Sequence, residues 1–287
     1  MPRLAISRTK ILLAIGALVV IALGYQQIMS RSQVILDARN SLPPGHLIVQ
    51  PTPDLEARGA RLIAISACSG CHGHDLTGGP LNAFGTEVHA PNLTLLSPRL
   101  SDGDIDRALR SGLRPNGTSE LMMPAHAYRG LTDDEVTAII AGLRALPKRG
   151  SELPRTQPGL LLRAALLAGW VQLETDKVAG ARPPLDAGVP LQAGRHLAAV
   201  ACGRCHGTDL GGINGGAPDM TVRGYYPRAK FHGLIQRGDA IGEGDMALMT
   251  RTAQANFSHF TNAEVDAIYD YLDARDGVLL DKAAAAR

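Results

Sequence analysis

The chain has four cysteines, and all four lie in two short stretches of one pattern. The first is Cys68-Ser69-Gly70-Cys71-His72 and the second is Cys202-Gly203-Arg204-Cys205-His206. Two thiols separated by two residues and followed at once by an imidazole suit covalent attachment of a c-type haem. The thiols would add to the two vinyl groups of the porphyrin, and the short spacer lets both sulfurs reach one edge of the ring. His72 or His206 would then lie on the ring face and give the iron its proximal nitrogen. A C-x-x-C pair alone also serves redox dithiols and zinc half-sites. The histidine directly after each pair argues against both, and zinc would not call for the methionines found downstream.

Those methionines are Met123, in the loop from Arg114 to Pro124, and Met249, in the matching place of the second half. A Met thioether in the sixth position favours ferrous iron and raises the potential, and it closes the site to peroxide and oxygen. Met122 is an alternative beside Met123, and Met246 is an alternative to Met249. Register favours Met249. Nine residues separate Met123 from Thr132, twelve separate Met249 from Thr261, and fifteen separate Met246 from Thr261. Glu243, Gly244 and Asp245 also imply a wetter turn around Met246, while Thr250 follows Met249 where Pro124 follows Met123. Methionine fills core gaps too, but core filling does not explain two in matching Pro-, Asn- and Gly-rich loops. His74, His89, His126, His232 and His259 suit surface or supporting roles better than ligation.

Helices must position these groups. A helical pattern starts at Asp54, carries Leu55, Gly59, Leu62 and Ile65, and runs into Cys68. A short helix over Asp104–Ser111 stops at Gly112. Thr132-Asp133-Asp134-Glu135 is a capping box, opening a helix with Val136, Ile139, Ile140 and Leu143 on one face. The same order returns later. Gly194 and Leu197 lead into Cys202, and Ala217-Pro218-Asp219-Met220-Thr221 echoes Ala90-Pro91-Asn92-Leu93-Thr94. Phe231 to Gly238 echoes Ile105 to Gly112, and Thr261-Asn262-Ala263-Glu264 is a second capping box. A repeat of about 130 residues exceeds any solenoid period and means tandem domains. The acidic groups at Asp102, Asp104, Asp106, Asp133, Asp134 and Glu135 suit helix starts, and they could also present a docking surface to a basic partner.

Over about residues 54–276 the chain resembles tandem class I cytochromes c, of the membrane-anchored di-haem kind that serves bacterial dehydrogenase and respiratory chains. The motifs that carry the resemblance are the two C-x-x-C-H stretches, Pro91-Asn92-Leu93-Thr94, the helix end from Arg107 to Gly112, Met123-Pro124, and Leu131-Thr132-Asp133-Asp134-Glu135. It implies an all-α fold of two tandem domains, each wrapped on a covalently bound haem, and hence two haem c groups. It places Pro91 and Pro218 where a backbone carbonyl orients His72 and His206. The nineteen residues from His72 to Pro91 require an insertion, which the twelve from His206 to Pro218 do not. In this family the first and last helices of a domain cross, with a small residue on one meeting an aromatic on the other. Gly194 with Tyr271 fits that pattern. Gly59 would face Gly142, so the aromatic is missing, which predicts a crossing in the first domain that is looser or filled from elsewhere.

The expected organisation is an N-terminal anchor or signal (1–30), a tether (31–53), the first haem domain (54–148), a linker (149–190), the second haem domain (191–277) and a tail (278–287). The linker's apolar segment, Leu160 to Leu173, is too short to span a membrane. It is expected as a helix packed between the domains, with a helix lying on lipid as the alternative. Arg3, Arg8 and Lys10 precede an uncharged run from Ile11 to Tyr25, so the basic flank stays inside and the body is exported. The run reads as a single-pass transmembrane helix in the cytoplasmic membrane with the haem domains in the periplasm. The alternative is a signal peptide cleaved near Gly24, leaving a soluble periplasmic protein. A net charge of +2 with no basic stripe gives nucleic acid binding no support. Only 4% of residues are aromatic, a thin core for two domains unless porphyrins fill them. The expected activity is electron transfer, not catalysis. Electrons would come from a dehydrogenase or quinol-oxidising complex and pass to a terminal oxidase or soluble cytochrome. The alternatives are a di-haem peroxidase, a thiosulfate-oxidising cytochrome, or a fixed haem subunit of a larger oxidoreductase. No cysteine is spare to serve as an axial ligand.

Overall fold

The structure is a computed structural model and describes residues 8–213, 216–240 and 246–285. Its first helix, α1 (Arg8–Asp37), is the one described helix long and apolar enough to cross a membrane. It does not end with the apolar run. It continues seven residues past residue 30, and Ser32 is fully buried. Residues 38–52 are no free tether either. Asn40 N donates to Gly117 O at 2.8 Å, Arg107 reaches Pro43 O, and the buried Val49 donates its N–H to Asp102. The segment expected as a tether is therefore a strap along the first domain.

That domain begins with α2 (Pro53–Ile65), capped by the Thr52 hydroxyl on Leu55 N, with proline at its first position and Asp54 and Glu56 in its first turn. α3 (Ser69–His72) carries the attachment stretch. The insertion before Pro91 is a hairpin, β1 (Gly79–Ala83) and β2 (Thr86–Ala90), paired antiparallel with Ala83 opposite Thr86. Phe84 and Gly85 between them both have positive φ, as a two-residue turn that matches strand twist demands. Then come α4 (Leu93–Leu96), α5 (Asp102–Ser111), α6 (Ala125–Tyr128) and α7 (Asp133–Ala145). Reciprocal capping boxes open α5, through Ser101 and Asp104, and α7, through Thr132 and Glu135.

The linker contains α8 (Leu160–Leu167) and α9 (Glu174–Gly180). α8 does not lie between the two haem domains as expected. It packs on the end of α1 and on the hairpin, where Leu162 and Leu166 join Val88, Leu121, Ile35 and Leu36 in a separate apolar cluster. α9 rests on α5 and α6, with the buried Glu174 held by His126 Nδ1 and Lys177 Nζ, both at 2.7 Å. The second domain comprises α10 (Gln192–His206), α11 (Arg228–Arg237), α12 (Ala247–Ala255) and α13 (Asn262–Ala285). The Thr261 and Glu264 side chains cap α13 reciprocally. α13 runs past residue 277, so the expected tail is helix through Ala285.

In each domain the first and last helices cross at a glycine. A Cβ on Gly194 would lie 1.9 Å from Ala267 O and 3.0 Å from Tyr271 Cβ. A Cβ on Gly59 would also lie 1.9 Å from a carbonyl oxygen, that of Ala138. The first crossing is therefore not looser. With Gly142 facing Gly59 and no aromatic between them, backbone meets backbone. One continuous core runs through both domains.

Candidate haem sites

The loop after each attachment histidine takes the same path in both domains. Gly78 N donates to His72 O at 2.7 Å and Gly212 N to His206 O at 2.8 Å. Leu76 and Leu210, each four residues past its histidine, are both left-handed, at φ 60° and 62°. Branched residues rarely adopt that conformation and keep it only where the surroundings enforce it. Here the Leu76 and Leu210 carbonyls accept from Leu93 N and Met220 N, which pins the loop to the segment carrying the key proline.

The outcome is the same in both sites. His72 Nδ1 lies 2.9 Å from Pro91 O, and His206 Nδ1 lies 2.7 Å from Pro218 O. A carbonyl only accepts, so Nδ1 carries the proton and Nε2 keeps its lone pair for a metal. Burial pulls the His72 pKa down, partly offset by the Pro91 carbonyl, and keeps the ring neutral as a ligand must be. Burial also pushes the Cys68 thiol up to about 11 and Cys202 up to about 12.

A cavity of about 700 Å³ opens in the first domain, lined by Cys68, Cys71, His72, Met123, Tyr128 and Ile139 among others. Its size and largely apolar walls suit a group the size of a porphyrin, and both proposed axial side chains face the same space. Met122 also borders it but is 41% exposed. His89 borders it with Nε2 at 2.9 Å from Glu87. His126 and His232 are likewise engaged, with Glu174 and Asp266. In the second domain Met249 lies in the first turn of α12, four residues before the fully buried Ala253, and so on the inward face. The Met246 sulfur accepts from the Tyr226 hydroxyl at 3.6 Å. Glu243, Gly244 and Asp245, expected to form a wet turn there, lie outside the described residues.

Several supporting residues escaped sequence reasoning. Arg275, 3% exposed, donates to Leu210 O and to both oxygens of Asp219, clamping the loop that presents the Pro218 carbonyl. In the first domain Asn92 does this work, accepting from Thr94 and donating to Arg149 O. The Asn and Asp after the two prolines were the available signal. Arg204, inside the second attachment stretch, reaches across the domain boundary, donates to Ala67 O at 3.0 Å and borders the first cavity.

Arg204 belongs to a reciprocal interface. Arg61, two residues past Gly59, binds the Glu264 cap of the second domain. His196, two residues past Gly194, binds the Glu135 cap of the first at 2.8 Å. Ser69 donates to Asn256 at 2.6 Å, and in the mirrored contact Gly203 faces Ala127. The halves thus meet about a local two-fold axis with their attachment stretches inward. Burial alone would raise the Glu135 and Glu264 carboxyls. Hydrogen bonds from His196 and Thr132, and from Thr261 and Arg61, hold them below the ordinary carboxylate value instead. A depressed folded-state pKa stabilises above the unfolded value and loses that stabilisation as pH falls through the folded value. The interface is therefore expected to lose this stabilisation below about pH 4.5, the unfolded value for Glu. Urea midpoints should fall modestly there, and Glu135→Gln with Glu264→Gln should lower them in the same way at neutral pH. Each partly exposed pair contributes about 1 kcal/mol at most.

A cytochrome c family model matches the chain twice, over residues 56–147 and 191–275, spans that contain every residue of both attachment motifs. A search of curated proteins found no match.

Proposed function

Because the chain belongs to the cytochrome c family, whose covalently held haem c serves electron transfer, we propose that it is a membrane-anchored, di-haem electron carrier. His72 with Met123 would hold one iron and His206 with Met249 the other, the cysteines fixing each ring covalently. A bound haem supplies reversible one-electron chemistry at its iron. The protein does the rest. Pro91 and Pro218 would orient His72 and His206, Met123 and Met249 would complete the ligation, and the apolar walls would shield the group from water. Two side-chain ligands on each iron would leave no place for peroxide, as a carrier requires and a peroxidase does not. The observation that carries this reading is the shared cavity of His72 and Met123, with His72 locked by Pro91 O.

Export fits the cysteines, since c-type haem is attached outside the bacterial cytoplasm, and α1 would keep the domains on the periplasmic face. Tethering raises the effective concentration near membrane partners. The partners we propose are a dehydrogenase or quinol-oxidising complex as donor and a terminal oxidase or soluble cytochrome as acceptor.

The weaker axial assignment is tested by two variants. Met249→Ala is expected to abolish half of the ferric Met–iron charge-transfer absorbance, while Met246→Ala leaves it intact. If only Met246→Ala removes it, the assignment is reversed. If neither does, the second iron has another ligand or an open position, and the peroxidase reading gains.

A further inference from the structure

The contact between α1 and α8 sets where the first domain sits relative to the lipid. Arg163 on α8 is 5% exposed, and its guanidinium is locked onto α1. It donates to Ser32 Oγ and Gln33 Oε1, both at 2.9 Å, and to Met29 O at 3.5 Å, while Nε donates to Pro158 O. Around this lock Ile35 and Leu36 pack with Leu162 and Leu166. A buried guanidinium held by several oxygens on another helix is not a sliding contact, so α1 and α8 are one unit.

The outer membrane boundary on α1 follows from length. Crossing the hydrocarbon takes about 20 residues. Counted from Ile11, the first residue past the inner basic flank, that reaches Ser30. The residues of α1 that α8 grips, Met29 to Leu36, therefore stand at the level of the lipid headgroups, and α8 lies there too. The side chains that α8 leaves uncovered are apolar. Leu161 is 66% exposed and Trp170, just past the helix end, 80%. Phe84, at the tip of the neighbouring hairpin, is 49% exposed, and the adjoining Gly85 lies against Leu161. Exposed leucine and phenylalanine beside the chain's single tryptophan are the composition of a membrane-interface belt.

We propose that α8, Trp170 and the tip of the β1–β2 hairpin form a lipid-contacting face that seats the first domain on the bilayer beside α1. This rests on the reading of α1 as an anchor and goes beyond it, because an anchor alone leaves the domains free to tumble. Gln33, Leu36 and Asp37 of α1 line the first cavity. Eight residues separate Met29 from Asp37, about 12 Å of helix. The seating therefore holds the first site close to the membrane surface, within reach of a membrane-embedded partner.

The test uses the full chain with its haems, alone in phosphatidylcholine nanodiscs that contain a phospholipid with a photoactivatable diazirine on its acyl chain. After illumination and digestion, adducts are mapped by mass spectrometry. We expect them on residues 11–28, and also on Phe84, Leu161 and Trp170. The double variant Trp170→Ser, Leu161→Ser, at exposed positions that leave the core intact, should lower labelling of the α8 and hairpin peptides at least fivefold and leave α1 labelling unchanged. Adducts on α1 alone would overturn the seating while keeping the anchor, and would give the apolar face to a protein partner. No adducts on α1 would overturn the anchor and the seating together.

Discussion

A chain with Cys68, Cys71 and His72 all replaced by alanine is expected to lose the fold of its first domain, not to keep it as an empty shell. The site is a cavity of about 700 Å³, and its walls include Leu109, Tyr128 and Ile139 of the core itself. Without the ring those apolar side chains face water, and at about 25 cal/mol per Å² of apolar surface a loss of several kcal/mol is comparable with the roughly 5–15 kcal/mol by which a domain is stable at all. With four phenylalanines in the chain there is little bulk with which to close the space. Limited proteolysis should cut within residues 54–148 within minutes, while 191–275 persists as a coloured fragment. A first domain that resists protease as the unaltered protein does would show that the haem is a passenger and not part of the core.

Gly59→Ala is expected to destabilise the first domain by more than about 4 kcal/mol, at the far end of single-residue effects. The new methyl carbon would lie 1.9 Å from Ala138 O and 2.8 Å from Gly142 N. Both are backbone atoms of α7 that no rotamer change can move, so α2 would have to draw back along the whole crossing. Gly194→Ala meets Ala267 O at the same distance and should act alike on the second domain. Gly130→Ala, with nothing within 4 Å of the added carbon, is the control and should stay within about 0.5 kcal/mol. Urea midpoints read by haem absorbance would order the three. A Gly59→Ala midpoint near that of the unaltered protein would mean that the helices do not cross as closely as described.

The parts of this molecule legible in its sequence are those set by neighbours along the chain. The attachment stretches, the capping boxes at Thr132 and Thr261, and the helix stop at Gly112 each act over three or four residues, and the structure places them where their spacing implied. The proline carbonyls were reached only through a family resemblance, because nothing local to Pro91 says that His72 will fold back onto it. What remained hidden depends on contacts between distant segments. The β1–β2 hairpin was visible only as surplus spacing, since its strands bury alternate residues against Leu162 and Leu166, 70 residues or more away in the chain. The apolar pattern of α8 says that one face is covered but not by what, and α1 proved to be the cover. The glycine pair at Gly59 and Gly142 misled, because a missing aromatic was taken as a gap, whereas two glycines let the backbones close the distance themselves. The interdomain pairs of Arg61 with Glu264 and His196 with Glu135 use exposed-looking helix residues with no mark of their own. Only the repeat shows that they are equivalent.

The central claim is that two covalently held haems, each with both axial positions filled by side chains, make this chain an electron carrier. It is tested most directly by adding carbon monoxide to the fully reduced full-length protein, with haem per chain counted independently. The account predicts two haems per chain that survive acid-acetone extraction, and a Soret band that carbon monoxide leaves unchanged. A change worth one haem per chain, or a count of one, would contradict it.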